Sequence, residues 1–314
     1  MNFTDYLQSK DFTKSTQESY CRHVNDFLKY YLQDVANCSK KDIIKYLEHI
    51  KATRKQSNRS RSLIVVALNH YFTFLITQHT LTQNPCALIK IRGVNKKIRC
   101  NIFSTDELEQ LCDDFYHYFI AAYDEQQIKK MCHNRLHTIL VRQRNYAMLT
   151  ILAYQGLQVH ELPLIKISDV NINKGSIKIA ATNVGAERTL PLKAAQIGSL
   201  IIYLQNVRPQ FLALGGDSDK LFLLLPTYKK AATSAENLIA AHKNLSAQIR
   251  SINKAFINFR QIRASVISYW LRTEGLRKTQ WLAGHRHIHA TERFVQNNME
   301  ELTSDIAKFN PFNS

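Results

Sequence analysis

Residues 260–294 read RQIRASVISYWLRTEGLRKTQWLAGHRHIHATERF, and this stretch decides how the rest of the chain is interpreted. Arg260 and Arg263 lie three residues apart at the start of an amphipathic run, and a Leu-Ala-Gly-His turn ends at His285. A guanidinium fork and an imidazole N–H can each hold a non-bridging oxygen of a phosphate group. The stretch therefore predicts a phosphate-binding site built on a helix and a turn.

Composition points to the same class of ligand. The chain has 314 residues, enough for two domains, and a net charge of +17 with a pI near 9.6. A charge of this size favours a polyanion, most often nucleic acid, over a merely soluble basic protein. Both halves of the chain are basic, so both favour the same partner.

Cysteine usage and hydropathy indicate the cellular compartment that we expect for the protein. Six scattered cysteines with no Cys-x-x-Cys pattern predict reduced thiols rather than disulfides or a zinc site. The polar start MNFTDYLQSKDF does not resemble a signal peptide, and no window of 18 uncharged apolar residues predicts a membrane span. We expect a cytoplasmic, nucleoid-associated protein with no membrane contact and no cofactor.

The first 90 residues predict helices joined by short polar loops. Helical spacing of apolar residues supports helices at 13–31, 43–50 and 59–77, and Asn84-Pro85 ends a short helical piece. The aromatic stripe of the first helix is expected to be core rather than a binding surface. The apolar side predicted for the third helix consists of Leu63, Val66, Ala67, Tyr71, Phe74 and Leu75.

Two basic segments frame this helical region. KATRKQSNRSR at 51–61 has no acidic residue, and it suits phosphate contact from a loop and a helix start, or else is a solvated charged loop. IRGVNKKIRCNI at 91–102 reads as a basic linker. The candidate DNA-binding residues in the two segments are Lys51, Arg54, Lys55, Arg59, Arg61, Lys96, Lys97 and Arg99.

The remaining chain predicts a larger helical domain with a small sheet. Ser104 and Glu107 form a capping box before a helix, and a polar insert of unknown role runs from about 116 to 137. An apolar helix is expected at 144–154, and SIKIAATNVGAERTLPL at 176–192 alternates like a β-hairpin. Helices with a Gly-Gly break at 215–216 follow, and a last helix is expected at about 297–309.

Taken together, these motifs resemble the tyrosine recombinase (phage integrase) family. Three motifs occur in the order found in the family: the segment NRSRSLIVVALNHYFTFLITQHTLTQNPCALIK, the Glu-Arg-x-x-Pro-Leu ending of the hairpin, and Arg-(helix)-Leu-Ala-Gly-His. The resemblance implies a mainly α fold with a small β-sheet. It implies a helical core-binding (SAM-like) domain at 1–92, a linker at 93–102 and an integrase-like catalytic-type domain at 103–314, closing on double-stranded DNA as a C-shaped clamp.

The family's catalytic positions are degenerate in this chain. The resemblance implies a tyrosine nucleophile nine residues after the Leu-Gly-His histidine, two arginines that stabilise charge on the phosphate, and a lysine that protonates the leaving oxygen. The tyrosine position holds Phe294, which has no hydroxyl. Arg263 and His285 match the family, and the departures from it are Gln158 for the first arginine, Asn183 for the lysine (with Lys178 one strand back), Arg260 for a histidine, and Phe294.

Other chemistries were weighed against this interpretation. No tyrosine follows Tyr269, so a nucleophile elsewhere, such as Tyr203 or Tyr228, would need a rebuilt site. The alternating histidines His285, His287 and His289 lack neighbouring Cys or carboxylate ligands, which favours a turn over a metal site. No nucleophile-elbow motif supports a Ser/His/Asp hydrolase.

The sequence thus predicts a DNA-binding recombinase homologue that does not cut DNA. Arg260, Arg263 and His285 would hold a backbone phosphate, and the protein would act as an accessory or architectural factor in recombination, integration or transposition. Its partners would be DNA and, as an oligomer partner, either a second copy of itself or an active recombinase. Two alternatives stay open: an active recombinase with a relocated nucleophile, and a DNA-binding regulator that reuses the fold.

Overall fold

The computed structural model describes residues 2–93, 101–121, 133–224 and 235–295. The chain packs into two compact units, residues 1–96 and 97–314. The predicted linker at 93–102 and the domain limits beside it stay a prediction, since residues 94–100 lie outside the described ranges. The expected helix at 297–309 and the residues Lys96, Lys97 and Arg99 lie outside them as well.

The first unit is a bundle of helices around an aromatic core. Phe27, Tyr46 and Phe72 are almost fully buried, and their rings meet edge to face. Thr13 and Ser57 cap two of the helices by accepting a hydrogen bond from the backbone three residues on. The helices are α1 (Phe3–Ser9), α2 (Lys14–Tyr30), α3 (Lys40–Arg54) and α4 (Asn58–Thr77).

One face of α4 differs from the prediction. Leu63 and Val66 were expected in the core, but 44% and 40% of their surfaces are exposed. The core instead takes up Ile64, Val65 and Leu68, each at most 6% exposed. The helix is apolar nearly all round at this point, so periodicity alone does not select which side turns inward.

In the second unit, helices and a small sheet pack around one large apolar core. The predicted Ser104 and Glu107 capping box is confirmed, with reciprocal hydrogen bonds of 3.1 and 2.7 Å. The helices are α5 (Thr105–Phe119), α6 (His133–Gln155), α7 (Ala194–Ile202), α8 (Arg208–Gly215), α9 (Ala235–Ile252), α10 (Phe259–Thr273), α11 (Gly275–Leu282) and α12 (Ile288–Val295).

The predicted polar insert is shorter than expected. Residues 116–119 still belong to α5, and α6 already begins at His133, well before the expected start at 144. Between α7 and α8 the chain forms one π-helical turn, Tyr203–Val207. The Gly-Gly break at 215–216 ends α8, where Gly216 adopts a φ of 86°.

The sheet confirms the predicted hairpin and adds a strand to it. β2 (Ser176–Ile179) and β3 (Arg188–Pro191) pair antiparallel with Ile177 opposite Leu190. The sequence did not indicate β1 (Val170–Asn171), which pairs with β2. Ile177 and Leu190 point into the core, so the hairpin packs on the helices. Its tip at 180–187 extends toward the turn after α11.

Candidate functional site

The start of α10 places the two arginines differently. The Asn258 side chain accepts hydrogen bonds from the backbone N–H groups of Arg260 and Gln261, at 3.0 and 3.3 Å, and so fixes the first turn. Arg263 lies one turn further along and is buried, whereas Arg260 is exposed. The predicted pair therefore contains one interior cation and one at the surface.

Arg263 binds two separate segments of the protein. Its Nη1 donates to the Gly156 carbonyl at 2.6 Å, and its Nη2 donates to the Ala283 carbonyl at 2.9 Å and to His285 Nε2 at 3.1 Å. Burial lowers the pKa of Arg263 to about 10, with the positive charge of Arg188 adding to the effect, so Arg263 remains a cation near neutral pH. These contacts join α10 to the end of α6 and to the turn after α11.

The contact with Arg263 fixes the proton on His285. An arginine can only donate, so Nε2 of His285 must be the unprotonated nitrogen, and Nδ1–H donates to Thr291 Oγ1 at 2.9 Å. Burial, together with the charges of Arg263 and Arg188, lowers the pKa of His285 to about 4. His285 is therefore neutral near pH 7 and has no Nε2–H to offer to a phosphate.

Phe294 fills a closed apolar pocket beside this histidine. Its ring stacks on the His285 imidazole with centroids 5.9 Å apart and planes 14° apart. It packs in one cluster with Ala264, Ile267 and Ala283 and is 6% exposed. The side chain thus holds α12 against α10 as a core residue.

A buried ion pair lies next to these residues. Arg188 on β3 donates from Nη1 and Nη2 to the two carboxylate oxygens of Glu161, at 2.8 and 3.1 Å, and both side chains are at most 2% exposed. The backbone N–H of Gln158 also donates to Glu161, at 2.7 Å. Burial by itself would raise the pKa of Glu161, but the hydrogen bonds and charge of Arg188 and the Gln158 amide lower it overall.

The tip of the hairpin is bonded to the turn that carries His285. The Ala186 N–H donates to the Gly284 carbonyl at 2.9 Å, and Gly185 pairs with His285 as an isolated bridge. Arg286 Nη2 donates to the Thr182 carbonyl at 2.6 Å. One connected site is therefore formed by three parts of the chain: the end of α6 at Gly156, the hairpin tip, and the turn at 283–286.

The structure brings together only part of the predicted set. His285 contacts both Arg263 and Phe294. The Gln158 backbone is bonded to Glu161, which pairs with Arg188. Asn183 lies exposed at the hairpin tip. Lys178, the alternative for the lysine, forms an ion pair of 3.0 Å with Glu187 on the outer face of the sheet.

Three residues of the site were missed by the sequence analysis. Glu161, Arg188 and Thr291 are all buried and bonded within the cluster. Charged residues usually lie at the surface, so composition gave no reason to place an acid and an arginine inside. The one available signal was that Glu161 follows Gln158 by three residues and that Arg188 belongs to the hairpin ending.

The basic segment of the first unit is more helical than predicted. Lys51 and Arg54 belong to the last turn of α3, beyond the predicted helix end at 50, whereas Arg59 lies in the first turn of α4 as predicted. Arg54 forms an ion pair with Asp26 at 2.7 Å, and Arg61 donates to Asn58 at 2.6 Å. The exposed cations of the segment without such a partner in the described ranges are Lys51, Lys55 and Arg59.

The other tyrosines weighed as nucleophiles have structural roles. The Tyr203 hydroxyl donates to the Leu221 carbonyl at 3.0 Å and accepts from the Leu223 N–H at 3.2 Å, and burial raises its pKa to about 12. Tyr269 is half-buried on α10, and Tyr228 lies outside the described residues. Neither Tyr203 nor Tyr269 contacts Arg263 or His285.

The histidine run does not assemble a metal site within the described ranges, where no group of three or more His, Cys, Asp or Glu side chains is close enough to hold an ion. His285 is engaged by Arg263 and Thr291, while His289 faces Glu292 at 2.8 Å on the surface of α12. The alternation therefore reflects a turn followed by a helix start.

Two partly buried histidines predict how the stability of the protein depends on pH. His285 and His242 both have a pKa lowered from 6.5 to about 4, by burial and by the neighbouring cations Arg263 and Arg144. As the pH falls below about 6.5, these histidines become protonated in the unfolded chain but stay neutral in the folded one. The free energy of unfolding therefore decreases until about pH 4. We expect a loss of up to about 3 kcal/mol for each histidine in urea unfolding between pH 7 and pH 4.

The control for this pH dependence is His242→Gln, which should remove the contribution of His242 and keep that of His285. A pH profile that stays unchanged in His242→Gln would contradict the assignment.

With this geometry in place, comparison with known proteins identifies the family. Residues 1–80 match the model of the phage integrase N-terminal SAM-like domain, and residues 121–301 match the model of the phage integrase family. These two matches cover more than half of the chain. The protein belongs to the phage integrase family, the tyrosine recombinases, which confirms the predicted resemblance and fold class.

Individual relatives agree with this assignment. The chain is 25% identical over 307 residues to tyrosine recombinase XerC of Anoxybacillus flavithermus, covering 96% of this chain and 93% of that protein. It is 21% identical over 316 residues to the TnP I resolvase of Bacillus thuringiensis, covering 97% of each.

Solved structures share the fold at low identity. The Tn1549 transposon integrase in complex with a circular intermediate DNA has a TM-score of 0.64 at 12% identity, covering 97% of this chain and 99% of that one. A lambda integrase tetramer bound to a Holliday junction has a TM-score of 0.62 at 15% identity, covering 94% and 75%. Separately, none of the helices in the described ranges is long and apolar enough to span a membrane.

Proposed function

We propose that this protein binds double-stranded DNA as a tyrosine recombinase homologue and does not itself cut DNA strands. The observation that carries the proposal is Phe294, a buried apolar residue stacked on His285 at the position where the resemblance to the family implies the nucleophilic tyrosine. The family reaction needs a hydroxyl that attacks phosphorus, and a phenyl ring has none.

The rest of the site supports the absence of strand cleavage. Gln158 brings no charge to the position of the first arginine, and Asn183 brings no transferable proton. His285 is neutral, with Nε2 turned to Arg263. Losing one group that stabilises developing charge costs about a hundred- to thousand-fold in rate, and several are missing here.

DNA binding, by contrast, needs only accessible positive charge. The net charge is +17, and Lys51, Lys55 and Arg59 on the first unit and Arg260 on the second are exposed. The Tn1549 and lambda integrases, which share the fold, are described in complex with DNA, and a lambda integrase forms a tetramer on it. Such relatives support DNA as the partner, with a second copy or an active recombinase beside it.

The biological role that follows is accessory or architectural. A protein that occupies a recombination site without cutting it can position DNA or an active recombinase in recombination, integration or transposition. We place it with DNA in the cytoplasm, associated with the nucleoid. The domain limits we propose are 1–92 for the helical DNA-binding domain and 103–314 for the catalytic-type domain.

The test is a covalent-trapping assay on a nicked suicide duplex that carries the site this protein selects from a random pool. We expect tight, salt-sensitive binding by the native chain and no covalent adduct on a denaturing gel. Phe294→Tyr restores only the nucleophile, so we expect at most a slow adduct, while Phe259→Tyr, which adds a tyrosine to α10, should form none.

An adduct from the native chain would overturn the proposal in favour of an active recombinase, and peptide mapping would identify the displaced nucleophile. A regulator that reuses the fold would instead select an operator with no inverted recombinase half-sites.

A further inference from the structure

The hairpin tip and the turn after α11 hold one arginine in a position that no catalytic motif assigns. Arg286 follows His285 directly, and its Nη2 donates to the Thr182 carbonyl at 2.6 Å. The Thr182 N–H donates to the Gly185 carbonyl at 2.8 Å, and the Thr182 hydroxyl accepts from the Gly185 N–H at 2.9 Å. The acceptor of Arg286 therefore belongs to a closed turn, which orients the guanidinium over the hairpin tip.

Most of the donors of Arg286 remain available. A guanidinium has five N–H groups, and the bond to Thr182 uses one of them. The side chain is exposed, and no carboxylate of the described residues forms an ion pair with it. The acids on the neighbouring elements are already engaged, Glu187 by Lys178 and Glu292 by His289.

The interior cations are, in contrast, occupied. Arg188 is paired with Glu161, and Arg263 donates to two carbonyls and to His285. An anion that approaches the connected site from solvent would thus meet Arg286 on the hairpin side and Arg260 at the start of α10. Within the described ranges, Arg286 is the one of these two that a side-chain hydrogen bond holds in place.

We propose that Arg286 is a phosphate-binding residue that holds one backbone phosphate of DNA beside the tip of the β2–β3 hairpin. The inference rests on the proposed function, since it takes DNA as the ligand. A guanidinium with a free edge fits two oxygens of one phosphate, and the bond to Thr182 fixes that edge before the ligand arrives. Arg286 binds and positions the strand.

The experiment measures affinity for the selected duplex against salt concentration for the native chain, Arg286→Gln, Arg286→Lys and Lys174→Gln. Lys174 is an exposed cation in the β1–β2 turn, at the opposite end of β2 from the tip, and serves as the matched control. Loss of one phosphate contact should reduce the slope of log affinity on log salt by about 0.9 and weaken binding about eight-fold at 0.1 M salt. Arg286→Lys keeps the charge and should keep the slope.

The outcomes separate the two proposals. One outcome is that the native chain binds with an affinity that falls steeply with salt while Arg286→Gln and Lys174→Gln have the same affinity and salt slope. That result would overturn the role of Arg286 and leave the proposed function intact. A native chain with no salt-dependent binding to any selected duplex would overturn both. Circular dichroism melts of the exposed-site variants should match the native melt, which ties any loss of affinity to the contact.

Discussion

Replacing Glu161 by glutamine is expected to lower the free energy of unfolding of the second unit by about 3–5 kcal/mol. The substitution keeps the size of the side chain but leaves the Arg188 guanidinium, which is fully buried, without its counterion. Arg263 would then be a second cation in the same interior with no acid near it. Urea unfolding followed by tryptophan fluorescence measures the effect, since both tryptophans, Trp270 and Trp281, lie in this unit.

The matched control is Glu109→Gln. Glu109 forms an ion pair with Lys193 at 3.4 Å, but both side chains are about half exposed, so its removal should cost less than about 1 kcal/mol. The double variant Glu161→Gln/Arg188→Met removes both charges and should recover part of the loss. A cost for Glu161→Gln no larger than that of Glu109→Gln would show that the pair does not stabilise the fold.

The second large effect is expected from Gly284→Ala. Gly284 adopts a φ of 67°, and a Cβ there would lie 2.5 Å from Arg188 Nη1 and 3.1 Å from the Ala186 carbonyl oxygen. The new methyl group must displace the buried guanidinium or break the bond between the hairpin and the turn. We expect a loss of about 2–4 kcal/mol, from backbone strain together with overpacking, in the same unfolding assay.

Gly275→Ala separates the two contributions. Gly275 has a similar φ of 74°, and no atom lies within 4 Å of the place its Cβ would take. Its cost should be the backbone contribution alone, about 1 kcal/mol. Equal losses for the two alanines would mean that the contact with Arg188 adds nothing.

The sequence predicted the elements of this protein well where a local rule applies. The Ser104 and Glu107 box and the alternating hairpin each depend on neighbours a few residues away. The short helical piece expected before Asn84-Pro85 is wrong, since only turns and bends lie between Thr77 and Asn84. The order of the motifs was enough to identify the family. The helices at 43–50 and 144–154 were predicted too short. The polar residues at both ends of α3 carry no apolar periodicity, and the predicted start at 144 misses Ile139 and Leu140, which are buried in α6.

What the sequence did not predict depends on packing between distant segments. Leu63 and Val66 are as apolar as the buried Ile64 and Val65, and only the neighbouring helices decide which pair is covered. The Glu161 and Arg188 pair is buried because each satisfies the other, a condition that no single position reveals. The tautomer of His285 likewise follows from Arg263, a contact visible only once both are placed.

The bonds that close the site join parts of the chain that are synthesised far apart. Arg263 reaches the Gly156 carbonyl across 107 positions, and Arg286 reaches the Thr182 carbonyl across 104. Contacts of such long range carry a high chain-closure cost. The surface that we assign to a phosphate is therefore absent from the nascent chain until α10 and the turn after α11 have been synthesised and have packed against α6 and the hairpin.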